Sequence, residues 1–196
     1  MPSPLLLVEN QITYQQATQV DYSAILTMAE PFYPDSPSAN ASTGFLNKRF
    51  TEPMLASMNE SLGLLIAQKD GGQVIGFLGL SPFTIQSPSP VVNAMLKVLN
   101  TLSYHGQRIE QLSPFVFGPI CVAAEAKGLG VFKNLYRAMW QFLPASAYNV
   151  GLAFIDKNNQ HSLDAHIKGL GAEIIGEFSV HQSLFWIIAY SRVKQK

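Results

Sequence analysis

The run Ile120-Cys121-Val122-Ala123-Ala124-Glu125-Ala126-Lys127-Gly128-Leu129-Gly130-Val131-Phe132-Lys133-Asn134-Leu135 decides how the rest of the chain is read. It reads as a strand, a short connection, a glycine-bearing turn and the start of an amphipathic helix. At a helix start the first amides have no partner within the helix, and the dipole favours an anion. Glycine lets a phosphate approach the backbone without a Cβ in the way, and Lys127 adds a positive charge beside it. Two readings stay open on these residues alone: an anion site, or an ordinary strand-to-helix turn in which glycine relieves strain. The dinucleotide fingerprint G-x-G-x-x-G is excluded, because Lys133 stands at its third glycine. The Gly-Lys-Ser/Thr ending of a P-loop is missing too.

Downstream, Val131, Leu135, Met139 and Phe142 trace one apolar helix face, with Lys133, Asn134, Arg137 and Gln141 opposite, and Pro144 stops the helix. Val150–Ile155 reads as a strand and 162–167 as a helix closed by Gly169 and Gly171. Ala172–Val180 and Ser183–Tyr190 follow as a terminal hairpin. Upstream, Phe115–Val122 is a strand with a bulge or splay expected at Gly118-Pro119. Leu62–Gln68 and Gln73–Leu80 pair across Asp70-Gly71-Gly72, a strong hairpin signal. Earlier still, Ile12–Ala17 is a strand. Val20, Ala24, Ile25 and Met28 predict a helix with Thr18 as its cap and Asp21 in its first turn. Pro31 and Pro34 end it, 35–47 is a long loop, and a second helix runs from Thr51 to Asn59 with Pro53 in its first turn. Ser87 to Pro90 marks a break before a helical stripe at Val91, Met95, Val98, Leu99 and Leu102. The order of elements predicts a mixed α/β sheet with helices on both faces.

The chain has 196 residues, 47 % of them hydrophobic and 13 % charged, with a formal net charge of +0. Average domains carry roughly 25 % charged residues, so the surface is lightly charged and the core easily filled. One domain spanning 1–196 is expected. Global disorder is excluded, and the basic footprint of a nucleic-acid binder is absent. A single cysteine forms no internal disulfide. Leu5–Val8 is too short for a signal-peptide core, so a cytoplasmic protein without membrane contact is expected. Leu184-Phe185-Trp186-Ile187-Ile188 is either a strand covered on both faces or a self-association surface, which makes a homodimer a candidate state. His105, His161 and His181 show no metal-ligand spacing, so no metal is expected.

The quoted stretch resembles the acetyl-CoA motif of the GCN5-related N-acetyltransferase superfamily, which passes from a strand valine to Arg/Gln-x-x-Gly-x-Gly/Ala. Two registers fit. One puts Glu125 at the Arg/Gln position with Gly128 and Gly130 as the glycines. The other starts at Lys127, with Gly130 first and Phe132 at the Gly/Ala position. The second is adopted as the expectation. It keeps the usual spacing from Val122, sets a cation beside the diphosphate and places Leu135 at the helix-core leucine. Its departures are Lys for Arg and Phe132 for a small residue. The resemblance continues through Asn159-Gln160-His161-Ser162, similar to the family's Asn-x-x-Ala/Ser helix, and Gly171-Ala172 before the last hairpin. It covers about residues 62–190, and the segment 86–112 is longer than the family's connection, an insertion expected to serve as a lid or a dimer contact.

What the resemblance implies is an acyl-CoA N-acyltransferase fold with a mixed, mostly antiparallel sheet, and acetyl transfer from acetyl-CoA to an amine-bearing acceptor. The diphosphate would lie on Lys127, Gly128, Leu129, Gly130, Val131 and Phe132. The backbone of Ile120, Cys121 and Val122 would polarise the thioester carbonyl. Asn159 and Ser162 would meet the cofactor or cap their helix. His166 stands where the family often has a tyrosine acid, and is either that acid or a half-buried helix histidine. Glu30, Tyr33 and Asp35 fall in the acceptor region as candidate bases or as surface and capping groups. Cys121 is more naturally a packing residue than an acyl carrier. The alternatives are a non-catalytic acyl-CoA-binding or scaffolding module on the same fold, and a nucleotide-binding domain using the same helix terminus.

Overall fold

The structure, a computed structural model, describes residues 5–39, 46, 48–85 and 89–192. Parts of the predicted loop 35–47 and of the break at Ser87 lie outside these residues, as do 1–4 and 193–196. The strands are β1 (Leu5–Glu9), β2 (Ile12–Gln16), β3 (Gly63–Lys69), β4 (Gln73–Pro82), β5 (Ser103–Tyr104), β6 (Gln107–Arg108), β7 (Pro114–Val122), β8 (Val150–Asp156), β9 (Glu173–Val180) and β10 (Ser183–Ser191). The helices are α1 (Tyr22–Ala29), α2 (Glu52–Ser61), α3 (Pro90–Leu99), α4 (Val131–Phe142) and α5 (Gln160–Leu170). Eight strands hydrogen-bond in the order β1-β2-β3-β4-β7-β8-β10-β9, while β5 and β6 form a separate small hairpin. The pairs β1–β2, β2–β3, β3–β4, β8–β10, β9–β10 and β5–β6 are antiparallel, and β7 with β8 is parallel. This is the predicted mixed α/β architecture, mostly antiparallel, with flanking helices. The chain forms two compact units, one from residues 1–81 and 117–143, the other from 82–116 and 144–196.

In the first unit the register of β3 against β4 sorts side chains to two faces. Ile66 faces Phe77 on one side, and both join Tyr22, Ile25, Leu55 and Leu64 in a core with α1 and α2. Ala67 lies opposite Gly76 on the other side. A Cβ on Gly76 would come within 3.0 Å of Val131 Cγ1 and 3.3 Å of Leu135 Cδ1, so this face carries α4. Helices therefore cover both faces of this unit's sheet. The bulge between Ala67 and Gln68 shifts the alternation by one residue, and Val74 returns to the α1–α2 side. Two features of this unit differ from the sequence expectation. β1 is a further strand, joined to β2 through Asn10 and Gln11, both at positive φ; a two-residue hairpin turn usually announces itself by Asn-Gly, and glutamine hides it. A 3-10 turn, Gln19–Asp21, precedes α1. It winds at about three residues per turn, which takes Val20 out of phase and leaves it 87 % exposed. Asp21 reaches back to Thr18, accepting from its backbone N at 2.7 Å and its Oγ1 at 2.8 Å.

In the second unit β7 pairs with β8 from Pro114↔Val150 to Val116↔Leu152. β8 pairs with β10 along its length, from Phe185↔Asp156 to Ser191↔Val150. Met95 and Leu99 of α3 are fully buried with Tyr104, Ile109, Leu152, Phe178, Phe185 and Ile187. The predicted insertion thus contributes its apolar face to this unit's core. Ser89 caps α3, accepting from Val92 N at 3.5 Å, and Pro90 occupies the first turn. β10 is an inner strand between β8 and β9, with Phe185, Ile187, Ile188 and Ala189 buried. That is the covered-strand alternative for the 184–188 run, apart from Leu184, which is exposed. α5 extends beyond the predicted helix at both ends, and Gly171 closes it at φ 75, the left-handed cap that glycine adopts without a Cβ penalty.

Candidate functional site

β7 delivers the chain to Val122, and Ala123 N donates to Ile75 O at 2.9 Å, anchoring the connection to β4. A 3-10 turn at Ala124–Ala126 follows, with Ala126 buried. Gly128 then takes φ 83 and Gly130 φ 75. Gly130 is the N-cap of α4 and contributes no capping side chain. Asn134 N donates to Gly130 O at 3.0 Å, the first bond of the helix. The amides of Gly128, Gly130, Val131 and Lys133 have no hydrogen-bond partner among the described residues. A Cβ at Gly128 would meet nothing within 4 Å. Lys127 and Lys133 are exposed beside this turn. The result is a cluster of backbone donors at the positive end of a 12-residue helix, flanked by two cations.

The backbone angles also bear on the register. Positive φ falls at Gly128 and Gly130, the two glycines of the register that starts at Glu125. Phe132 lies in the first helical turn, where no glycine is needed, and stacks obliquely on Tyr136 at 5.2 Å. With Lys127 at the head of the motif, Gly130 is the first glycine, at φ 75, and Lys127 is the exposed cation beside the turn. Glu125 accepts from Gln73 Nε2 at 3.4 Å.

Within β7, Ile120 and Val122 are half-buried, and Cys121 is buried among Tyr22, Ile25, Tyr33 and Phe77. Burial pushes the Cys121 thiol well above its ordinary pKa. Upstream in the same strand, Gly118 takes φ 113 and its bond to Pro119 is cis, at the position where the sequence predicts an interruption.

Asn159, Ser162 and His166 belong to the second unit. Asn159 is the N-cap of α5, and its Oδ1 accepts from Ser162 N at 3.1 Å. His166 is 3 % exposed. Its Nδ1 bonds Ser162 O at 2.7 Å, and since a carbonyl only accepts, Nδ1 carries the proton. Burial pushes the His166 pKa down to about 4, against a smaller opposing effect of that bond. At neutral pH the ring is uncharged and its one proton is already engaged. This geometry matches the helix-histidine reading of the two, with the ring more deeply buried than expected.

The acceptor-region candidates are tied to one another. Arg49 Nη1 pairs with Glu30 at 2.8 Å and Nη2 with Asp35 at 3.2 Å. Its guanidinium lies 4.5 Å from the centre of the Tyr33 ring. Tyr33 Oη accepts from Phe50 N at 3.1 Å. The Arg49 hydrogen bond is the main cause that holds the Glu30 carboxyl below its ordinary pKa. Both carboxylates serve as partners of Arg49.

The periodicity reading set Asn134 on the solvent side of α4. It is 7 % exposed. Its position is three residues after Val131 and four before Ala138, both buried, so the helical spacing itself marks it as inward. Among the described residues no group of three or more His, Cys, Asp or Glu side chains is arranged to hold a metal ion. No described helix is long and apolar enough to cross a membrane.

No family profile and no curated protein matches the chain by sequence. Solved structures do match by shape. An N-acetyltransferase from Staphylococcus aureus superposes with a TM-score of 0.59 at 17 % identity, covering 92 % of this chain and 98 % of its own. A ribosomal-protein-alanine N-acetyltransferase from Brucella melitensis gives 0.59 at 18 %, covering 91 % and 99 %. A phosphinothricin acetyltransferase of the GNAT superfamily from Sinorhizobium meliloti, solved with acetyl-CoA, gives 0.59 at 15 %, covering 92 % and 88 %. The chain has the fold of the GCN5-related N-acetyltransferases.

Proposed function

We propose that this chain is an acetyl-CoA-dependent N-acetyltransferase, moving an acetyl group to an amine of a small molecule, peptide or protein by direct attack. The observation that carries the reading is the set of unpartnered amides at Gly128, Gly130, Val131 and Lys133, opening α4 directly after β7. Solved proteins of this fold are named as acetyltransferases, and one was determined with acetyl-CoA, which supports the same ligand here. Acetyl-CoA supplies an activated thioester and a thiolate leaving group. The residues present suit its diphosphate: donors without partners, open space over Gly128, and Lys127 and Lys133 alongside.

The backbone of Ile120, Cys121 and Val122 is assigned to polarising the carbonyl where negative charge develops. Cys121 stays a protonated, buried thiol, which supports direct attack over a covalent acyl-enzyme. His166 bonds Ser162 O within its own helix, and Glu30 and Asp35 hold Arg49. None of these acts as the base in this reading, so the acceptor amine enters already neutral. Turnover should then rise with pH through the amine's own pKa. Titration calorimetry with acetyl-CoA is expected to show binding, and amine-dependent release of free thiol is expected with at least one acceptor class. Absence of binding at millimolar acetyl-CoA rejects the proposal. Gly130→Glu is expected to abolish binding, since it puts a carboxylate where the anion sits and a side chain at φ 75.

A second reading, a non-catalytic acyl-CoA-binding module, is favoured by one observation: the candidate acid and bases are all engaged structurally. Binding of acetyl-CoA without thiol release across primary amines of varied class would select it.

A further inference from the structure

The turn between β1 and β2 is built from Asn10 at φ 51 and Gln11 at φ 62. Both angles lie in the left-handed region, where a side chain crowds the following carbonyl. Asparagine visits that region readily; glutamine does so at a cost. Two-residue hairpin turns of this kind favour glycine. Gly71 and Gly72 serve β3–β4, Gly106 follows His105 between β5 and β6, and between β9 and β10 His181 alone is left-handed. Among the described residues, Asn10-Gln11 is the one place where two consecutive non-glycine residues take positive φ. The strain therefore sits in the hinge of an edge strand, and short strained hinges invite exchange of the element they hold.

The strand itself suits exchange. β1 ends the sheet and is bonded to β2 alone. Leu5 and Val8 are 59 % and 56 % exposed on it, so it gives up little burial there when it leaves. Its ion pair with α4, Glu9 with Arg137 at 3.2 Å, is exposed. The register decides what an open form gains. Leu7↔Tyr14, Val8↔Thr13 and Glu9↔Ile12 step toward the turn one residue at a time. The next step would set Asn10 against Gln11, which a single chain cannot do because those two residues make its turn. We propose that two copies of this chain exchange β1, so that Leu5–Glu9 of each pairs with Ile12–Gln16 of the other. Residues 5–16 then form one extended strand. Every β1–β2 pair is kept, Asn10 of each copy gains Gln11 of the other across a two-fold axis, and the left-handed strain is lost at both hinges. The exchange is independent of the acetyl-CoA reading.

The test is the oligomeric state of the full chain, refolded at high concentration and read by light scattering across a dilution series. Wild type is expected to give monomer and dimer in a ratio that follows concentration. Gln11→Gly relieves the closed turn and is expected to shift the balance toward monomer by on the order of tenfold, since the effect counts at two hinges. Gln11→Pro excludes positive φ and is expected to shift it toward dimer. A cross-link identifies the exchanged element. Val8→Cys together with Thr13→Cys places two thiols opposite each other in the ladder, while Cys121 is buried away from them. After oxidation, the dimer fraction is expected to run as a covalent dimer on a denaturing, non-reducing gel. A dimer whose oxidised cysteines run at monomer size is held through another face and overturns the proposal. So does a wild-type chain that stays monomeric at every concentration, or a balance that Gln11→Gly leaves unmoved.

Discussion

His166 shows how much one position can hide. A histidine in the first helix after an Asn-x-x-Ser pattern invites a catalytic role, yet its Nδ1–H is given to Ser162 and burial keeps the ring neutral. The consequence is a stability effect with a definite sign. The folded-state pKa, about 4, lies below the ordinary value of 6.5. The unfolded chain therefore takes up a proton first as pH falls, and stability is lost between pH 6.5 and 4. Between pH 7 and 5 the loss should be about 2 kcal/mol. Urea denaturation at the two pH values, with His166→Phe alongside, checks this: the variant should lose that share of the pH dependence. An equal slope in both chains would show that His166 is not the group responsible. Asn134 makes the converse point, since a residue classed as polar by type is inward by spacing.

At the scale of elements, what matters is how α4 is held so that its first turn stays open. Gly76 of β4 is the contact point. A side chain there would meet Val131 Cγ1, Leu135 Cδ1 and the Cys121 carbonyl, all within 3.3 Å of its Cβ. Gly76→Val should lift the start of α4 from the strand. The expected cost is about 1–3 kcal/mol, typical of overpacking, together with loss of CoA affinity. Chemical denaturation and calorimetry read the two effects separately. Lost stability with intact CoA binding would refute the link between helix placement and the anion site. The β1–β2 hairpin belongs to this scale as well: Arg137 of α4 pairs with Glu9 at the end of β1, an exposed bridge worth little by itself.

For the whole molecule, the question is what residues 89–112 are for. As a lid or a dimer contact, α3 would be dispensable to the fold. Its Met95 and Leu99 are instead fully buried with strands β8, β9 and β10 of the second unit. Leu99→Ala should therefore cost about 2–5 kcal/mol, as a large-to-small change in a core does. Equilibrium unfolding measures it, and a loss near zero would return the segment to the surface roles expected from sequence. The light charge of the chain fits this picture, because so many helix and strand faces turn inward.

Local chemistry sufficed for much of this protein. Hydrophobic period, Gly71-Gly72, Pro144 and the Lys127–Phe132 turn led to the strand order along the chain, the mixed α/β class and the helix start that gathers free amides. These are readable because period and turn conformation depend on near neighbours. β1 and the phase of Val20 escaped, because a glutamine sat at positive φ and a 3-10 turn broke the count. Only the tertiary structure decided that His166 is neutral, that Arg49 engages Glu30 and Asp35, and that α3 completes a core. Each of these depends on which distant groups surround a side chain, since burial and hydrogen-bond partners come from packing.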